Sequence, residues 1–235
     1  MTAKLNIVVA AAGTGSRMGS ATNKQFMLLG NKPVLTYCLD FFEAQPEVES
    51  MVVVCRADEV DYCSREIVQV YRYSKVSAVI AGGPERQDSV WNGLSRLQTK
   101  QEWVAVHDGA RPLLTAKVFG EVFQAARQFG AAIPGLPPKD TLKMVDSQHF
   151  VQETLKRASI VAVQTPQIFK ASDLLKAYDM ARTENFCGTD DASLYERYIG
   201  KVKVVEGDYQ NLKITTPEDL ALADAIVKAR AVSAG

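Results

Sequence analysis

The sequence predicts an α/β protein built on a mostly parallel sheet with helices on both faces. Three observations carry that reading. Seven apolar runs of strand length recur at about 5–11, 50–55, 76–81, 103–107, 131–134, 160–164 and 202–206. Amphipathic helical segments separate most of them, the alternation that crossovers between parallel strands require. The 235 residues hold no Pro/Gly/Ser-rich linker, so a single domain over 1–235 with one substantial core is expected.

Charge and cysteine usage exclude several classes. Lys and Arg number 27 and Asp and Glu also 27, so no global field draws the chain to nucleic acid or acidic membranes. Met1-Thr2-Ala3-Lys4 leads directly into the first strand, so neither a secretory signal nor a membrane span is expected and the cytoplasm is the expected compartment. Cys38, Cys55, Cys63 and Cys187 show neither CxxC pairs nor zinc-finger spacing and read as reduced thiols filling apolar space. With His107 and His149 as the only histidines, a metal must rely on oxygen ligands. That points to Mg2+ shared between a carboxylate and substrate phosphates.

Taken in chain order, the first apolar run ends in Ala10-Ala11-Ala12-Gly13-Thr14-Gly15-Ser16-Arg17-Met18, with Lys24-Gln25-Phe26 close behind. A buried strand that empties into a small-residue loop leaves backbone N–H groups to face phosphate oxygens, and Arg17 and Lys24 add full charges. Gly13 and Gly15 alone fit an ordinary strand-to-helix turn as well. The Walker spacing fails, because Met18 stands where its second glycine belongs and no lysine follows. The same Met18 replaces the third glycine of a dinucleotide fingerprint, which disfavours an oxidoreductase. Met18 and Phe26 are both expected in the core.

Between Glu85 and Gln98 the apolar residues Val90, Leu94 and Leu97 recur at helical spacing, a core-facing stripe. One region breaks the rhythm. After Pro134-Gly135-Leu136-Pro137-Pro138, the stretches 140–145 and 150–155 flank a polar turn at 146–149 and read as a hairpin. Such an arm, at about 136–158, projects from the globule and is marginal unless something pairs with it. A homodimer that clasps the arms is the simplest solution. Further on, Thr216-Pro217-Glu218-Asp219 reads as an N-cap, a first-position proline and acids in the first turn, opening a helix to about Lys228.

Open parallel sheets bind ligands beyond the carboxyl ends of their strands. Polar groups fall at those ends: Gly13, Arg17 and Lys24 after the first strand; Gly82 to Ser89 after the third; His107 to Pro112 after the fourth; Gln210 to Thr216 near the end. Asp108 suits a magnesium ligand and equally a cap or turn residue. Arg111, Arg157 and Lys213 each read singly as surface charges, and their joint placement around one strand edge favours function. Ser89 is placed either to cap its helix or to hydrogen-bond a base.

The blocks Ala10 to Met18, Lys24-Gln25, Glu85 to Val90, His107 to Pro112, Lys139 to Lys143, Gln164 to Gln167, Thr189 to Ser193 and Asn211-Leu212-Lys213 run in order across essentially the whole chain. Together they resemble the 2-C-methyl-D-erythritol 4-phosphate cytidylyltransferases. Ala10 departs from the proline that many members carry, which should alter loop rigidity and leave the ligand groups intact. The resemblance implies a Rossmann-like nucleotidyltransferase fold of glycosyltransferase-A type, a cytoplasmic homodimer with interlocked arms, and a step of non-mevalonate isoprenoid synthesis. CTP and the polyol phosphate would yield 4-diphosphocytidyl-2-C-methyl-D-erythritol and pyrophosphate, with Mg2+ as cofactor. By the same resemblance Arg17, Lys24, Arg157 and Lys213 are catalytic and Asp108 is the metal-linked residue. Ala11, Ala12, Gly13, Gly83, Arg86 and Ser89 enclose CTP, and Arg111, Thr141, Arg157 and Lys213 orient the polyol phosphate. Thr141 and Arg157 lie on or beside the arm, which assigns them to the neighbouring subunit's site. A ribitol-5-phosphate cytidylyltransferase, sharing the CTP half of the site, and a non-catalytic nucleotide-binding protein are the alternatives.

Overall fold

A run of apolar residues buried on both faces can only be the middle of a covered sheet, and that is where the first strand lies. The computed structural model describes residues 3–13, 23–97 and 102–233. In chain order the elements are β1 (Leu5–Ala10), the short antiparallel pair β2 (Leu28–Leu29) and β3 (Lys32–Pro33), α1 (Val34–Ala44) and β4 (Val48–Cys55). There follow α2 (Val60–Tyr62), which continues into a π-helical stretch over Cys63–Gln69, then β5 (Val76–Ala81), α3 (Arg86–Arg96), β6 (Trp103–Asp108), α4 (Ala116–Phe129) and β7 (Ala131–Leu136). The remaining elements are β8 (Lys143–Val145), β9 (Val151–Thr154), β10 (Ala162–Val163), β11 (Gln167–Lys170), α5 (Ala171–Thr183), α6 (Asp191–Tyr198), β12 (Lys203–Glu206) and α7 (Pro217–Ser233).

Strand β1 pairs in parallel with β4 on one side and β6 on the other, and β4 pairs in parallel with β5. Beyond β6 the antiparallel β11 bridges to β7, whose far flank carries β12 in parallel. The order across the sheet is therefore β5-β4-β1-β6-β11-β7-β12, with β10 lying ahead of β11 along the same flank of β7. Only β10 and β11 run against the rest. The expected mostly parallel sheet is what the chain forms.

Alternation along each strand divides the core in two. Ile7, Val9, Met51, Val53 and Ala105 face one layer with Leu35, Leu39, Phe42, Val118 and Phe119 of α1 and α4. Val8, Val52, Val54, Val104 and Val106 face the other, with Val90 and Leu94 of α3 and Leu174 and Tyr178 of α5. Val90, Leu94 and Leu97 are buried as their spacing predicts, and Phe26 packs in the core edge-on to Tyr62. Met18 lies outside the described residues. The α7 helix opens as expected, with Thr216 Oγ1 accepting the Asp219 N–H, and runs past Lys228 to Ser233 because Ala229 to Val232 contain no breaker.

The expected strand at 160–164 needs correction. The chain pairs with β7 only at Ala162 and Val163, passes the cis Thr165–Pro166 peptide, and pairs again over Gln167–Lys170 between β6 and β7. Proline offers no N–H to the ladder, and the Thr165 side chain is drawn to the end of β6. The arm forms as predicted: β8 pairs with β9, and Asp146 Oδ1 accepts the N–H groups of Gln148 and Phe150 in the turn. Its apolar residues Met144, Val145, Phe150 and Val151 are all exposed, Phe150 to 68%. All four cysteines are free thiols, and among the described residues no helix is long and apolar enough to cross a membrane.

Candidate active site

Parallel register brings the carboxyl ends of four strands level, since Ala10 of β1 pairs with both Val54 of β4 and Asp108 of β6, and Cys55 of β4 pairs with Ala81 of β5. Backbone leaving these ends forms one wall of a cavity of about 280 Å³ lined by Ala12, Gly13, Lys24, Gly83, Arg86, Ser89, Asp108 and Lys213, among others. Gly82 and Gly83 are required there. A Cβ on Gly82 would lie 2.6 Å from Ser89 Oγ, and one on Gly83 would lie 2.3 Å from Asp88 Cβ, so the loop can fold onto the start of α3 only without side chains. Ser89 Oγ accepts the Gly83 N–H at 3.1 Å and donates to the Glu85 carbonyl at 3.1 Å, which fixes the loop's shape. Ser89 lines the cavity, but the cap of α3 falls to Glu85 and Asp88, whose side chains form a capping box one turn earlier.

Asp108 is the electrostatic centre. Its carboxylate lies 2.9 Å from Lys213 Nζ, 3.5 Å from Arg111 Nε and 3.8 Å from Arg86 Nε. Burial pushes the Asp108 carboxyl up, and the attraction of Lys213, Arg86 and Arg111 overrides it, holding the group ionised well below the usual carboxylate range. Arg86 also donates to Asp191 Oδ2 at 2.7 Å. Burial works against its charge, and Asp191 with Asp108 more than offset that, raising its pKa. Arg111, by contrast, has its pKa lowered, burial outweighing Asp108, though a guanidinium stays charged at any physiological pH.

Behind Asp108 a closed ring of hydrogen bonds fixes the turn. His107 Nε2 lies 3.1 Å from the Arg111 carbonyl, which can only accept, so this nitrogen carries the proton. Nδ1 then accepts from Thr165 Oγ1 at 3.1 Å, and the same hydroxyl accepts the Asp108 N–H at 3.0 Å. Arg111 Nη1 donates to the Asn211 carbonyl and Asn211 Nδ2 donates to the Thr165 carbonyl, closing the ring. Burial pushes His107 down to about 4, keeping it neutral as this pattern demands.

The structure thus brings together Ala12, Gly13, Lys24, Gly83, Arg86, Ser89, Asp108 and Lys213 from the residues singled out in the sequence. Lys24 is 7% exposed, in a single helical turn whose preceding Asn23 accepts the Gln25 N–H and donates to Glu59. Ala11 and Arg111 stand behind the wall: the Ala11 N–H is committed to the Val54 carbonyl at 2.7 Å, and Arg111 braces Asp108 and Asn211. Their contribution is to shape the cavity. Thr141 and Arg157 are exposed on and beside the arm and do not line it, Arg157 donating to the Lys139 carbonyl. Arg17 lies outside the described residues. Sequence reasoning missed Gln25 and Glu85 in the lining, and Thr165, Asn211 and Asp191 behind it. The Gln164 to Gln167 and Thr189 to Ser193 blocks were the available signal.

A metal has few partners here. Among the described residues no group of three or more His, Cys, Asp or Glu could hold an ion. The lone Asp108 carboxylate, with Oδ1 beyond hydrogen-bond distance of Arg86, fits a magnesium ion that takes its remaining oxygens from substrate phosphates.

Cations gathered at strand ends around one carboxylate, beside a glycine-edged backbone wall on a Rossmann-like sheet, define a nucleotidyltransferase. The family model for 2-C-methyl-D-erythritol 4-phosphate cytidylyltransferase matches residues 5–229. Proteins of that name from Pelotomaculum thermopropionicum and Alkaliphilus metalliredigens are 46% and 44% identical over 227 residues, each covering 97% of this chain and 95% and 94% of their own lengths. The solved 4-diphosphocytidyl-2C-methyl-D-erythritol synthase from Anaerococcus prevotii superimposes with a TM-score of 0.84 at 31% identity, covering 96% of this chain and 99% of its own. The Thermus thermophilus 2-C-methyl-D-erythritol 4-phosphate cytidylyltransferase gives 0.76 at 30% identity over 97% of this chain and 100% of its own. The chain belongs to the 2-C-methyl-D-erythritol 4-phosphate cytidylyltransferase family.

Proposed function

We propose that this chain transfers the cytidylyl group of CTP to 2-C-methyl-D-erythritol 4-phosphate in the cytoplasm, releasing pyrophosphate. The convergence of Lys24, Arg86 and Lys213 on one cavity with Asp108 carries the reading. A phosphate oxygen of the polyol phosphate forms a bond to the α-phosphorus of CTP, and the bond from that phosphorus to the bridging oxygen of the β-phosphate breaks. The nucleophile is already an anion, so the obstacle is bringing two polyanions together while charge builds on the α-phosphate and leaving group.

This chain's residues divide that work. The backbone of Ala12, Gly13 and Gly83 with Ser89 encloses the nucleotide, while Lys24, joined by Arg17, stabilises the developing charge. Lys213, held at Asp108, orients the polyol phosphate, and Arg111 supports it from behind the wall by bracing Asp108. Magnesium, when bound through Asp108, would supply further neutralisation of phosphate charge. Thr141 and Arg157 stand too exposed to serve their own chain's cavity, and a homodimer with exchanged arms delivers them to the neighbouring one.

The test crosses the four nucleoside triphosphates with methylerythritol phosphate, ribitol 5-phosphate and other polyol phosphates while pyrophosphate release is followed. Turnover is expected with CTP and methylerythritol phosphate. Preference for ribitol 5-phosphate, or no release from any pair, would refute the reading.

A further inference from the structure

Arg86 has two carboxylates to choose between, and the structure shows which one holds it. Its Nη2 donates to Asp191 Oδ2 at 2.7 Å, whereas its Nε stays 3.8 Å from Asp108 Oδ1. The nearer partner comes from a segment 105 residues away and is entirely buried. That segment is firmly placed. Asp190 caps α6 by accepting the Ser193 N–H at 2.9 Å, Gln167 Nε2 donates to Asp190 and Gln167 Oε1 accepts the Ala192 N–H. On its other oxygen Asp191 accepts the Tyr178 hydroxyl at 2.6 Å. The neighbour of Arg86, Gln87, is stitched to the same region, donating to the Phe186 carbonyl and accepting the Gly188 N–H.

A buried carboxylate is expensive unless it is paired and hydrogen-bonded, and both oxygens of Asp191 are spent on doing so. What results is a guanidinium fixed at the cavity wall and unable to close on Asp108. Without that hold, Arg86 would find one nearby carboxylate, and the pair would form across the space that phosphates need. We propose that Asp191 is a positioning residue that tethers Arg86 away from Asp108 and so keeps the anion-binding cavity open. The assignment rests on the reading of this cavity as a nucleotide site, and it names a residue that touches neither substrate.

The sign of one measurement separates a tether from a distant charge. Removing a negative charge near an anion site should strengthen anion binding by simple Coulomb attraction. A lost tether weakens it. The probe is inorganic tripolyphosphate, titrated calorimetrically against the full-length protein, and Asp191→Asn is expected to bind it at least tenfold more weakly. In steady-state assays the same variant should raise KM for CTP by a similar factor and leave that for the polyol phosphate unchanged. Adding Asp191→Asn to Arg86→Ala should cost nothing further, because the first acts only through the second. Unchanged or tighter tripolyphosphate binding in Asp191→Asn, or additive effects in the double variant, would overturn the assignment. If Asp191→Asn does not fold, Tyr178→Phe loosens the carboxylate while keeping its charge. A two- to fivefold weaker affinity is then expected, and wild-type affinity counts against the tether. Wild-type turnover with CTP, measured alongside, tests the functional reading separately from the phosphate titration.

Discussion

The strand-end cavity and the arm are opposite solutions to placing charged residues. In the cavity three cations are braced by buried partners, Lys213 and Arg111 by Asp108 and Arg86 by Asp191, and the turn that carries Asp108 is braced by the His107 ring. At the arm, Thr141 and Arg157 are exposed on either side of a two-stranded ribbon whose apolar residues Phe150 and Val151 face solvent. The first region has its charges paired within one chain, so its desolvation is offset by its own contacts. A lone hairpin is marginal in water, so the second is the region that the proposed partner chain would complete.

Four experiments press on that contrast. The largest effect is expected at Lys24. Removing one preorganised cation from a charge-building site costs ~3 kcal/mol or more of barrier, so Lys24→Ala should lower kcat at least about a hundredfold while the thermal transition stays cooperative. Near-wild-type kcat would take Lys24 out of the chemistry. Arg17→Ala should behave alike.

Next comes acid sensitivity of the cavity. His107 is held near 4 in the folded protein against about 6.5 in an unfolded chain, so the unfolded state binds the extra proton first as pH falls. Stability is therefore full above pH 6.5 and declines between 6.5 and 4, by roughly 3 kcal/mol at the bottom of that window. Asp108, depressed as a carboxylate, extends the loss to still lower pH. Denaturant melts of wild type and His107→Gln across this range check it. An identical slope in both would show that His107 does not set the window.

The arm should respond differently, through mixing. Arg157→Ala is expected to raise KM for the polyol phosphate about tenfold and leave stability alone. If arms are exchanged in a two-fold dimer, combining inactive Lys24→Ala chains with Arg157→Ala chains restores about one intact site in four. No recovery after mixing would mean that each chain uses its own arm or none. The smallest effect is expected at the arm's tip. His149 adopts φ 64°, a conformation that favours glycine, so His149→Gly should shift stability by less than about 1 kcal/mol, upward.

What the sequence made legible follows from how local each signal is. Strands β1, β4, β5 and β6 announce themselves because a sheet covered on both faces needs unbroken apolar runs, and the site followed from asking what stands at their ends. The hairpin was legible from its turn. Strand β11 was not, because Gln167-Ile168-Phe169-Lys170 holds two apolar residues between polar ones and its partners on β7 and β6 lie 36 to 67 positions away. Nor was the Arg86–Asp191 contact, which depends on α6 folding back over α3. Nothing in either segment alone predicts a partner 105 residues distant. Short-range chemistry could name Asp108 as a candidate. It could not say that three cations would share it.

The arm leaves the sheet between β7 and β10, and the two departure points, Leu136 and Ala162, are themselves a hydrogen-bonded pair. Twenty-five residues of excursion thus begin and end at a single rung of the ladder. Lengthening, trimming or rewriting the excursion need not disturb the strands beneath it, so the arm is free to diversify at a pace the strand-end cavity cannot follow.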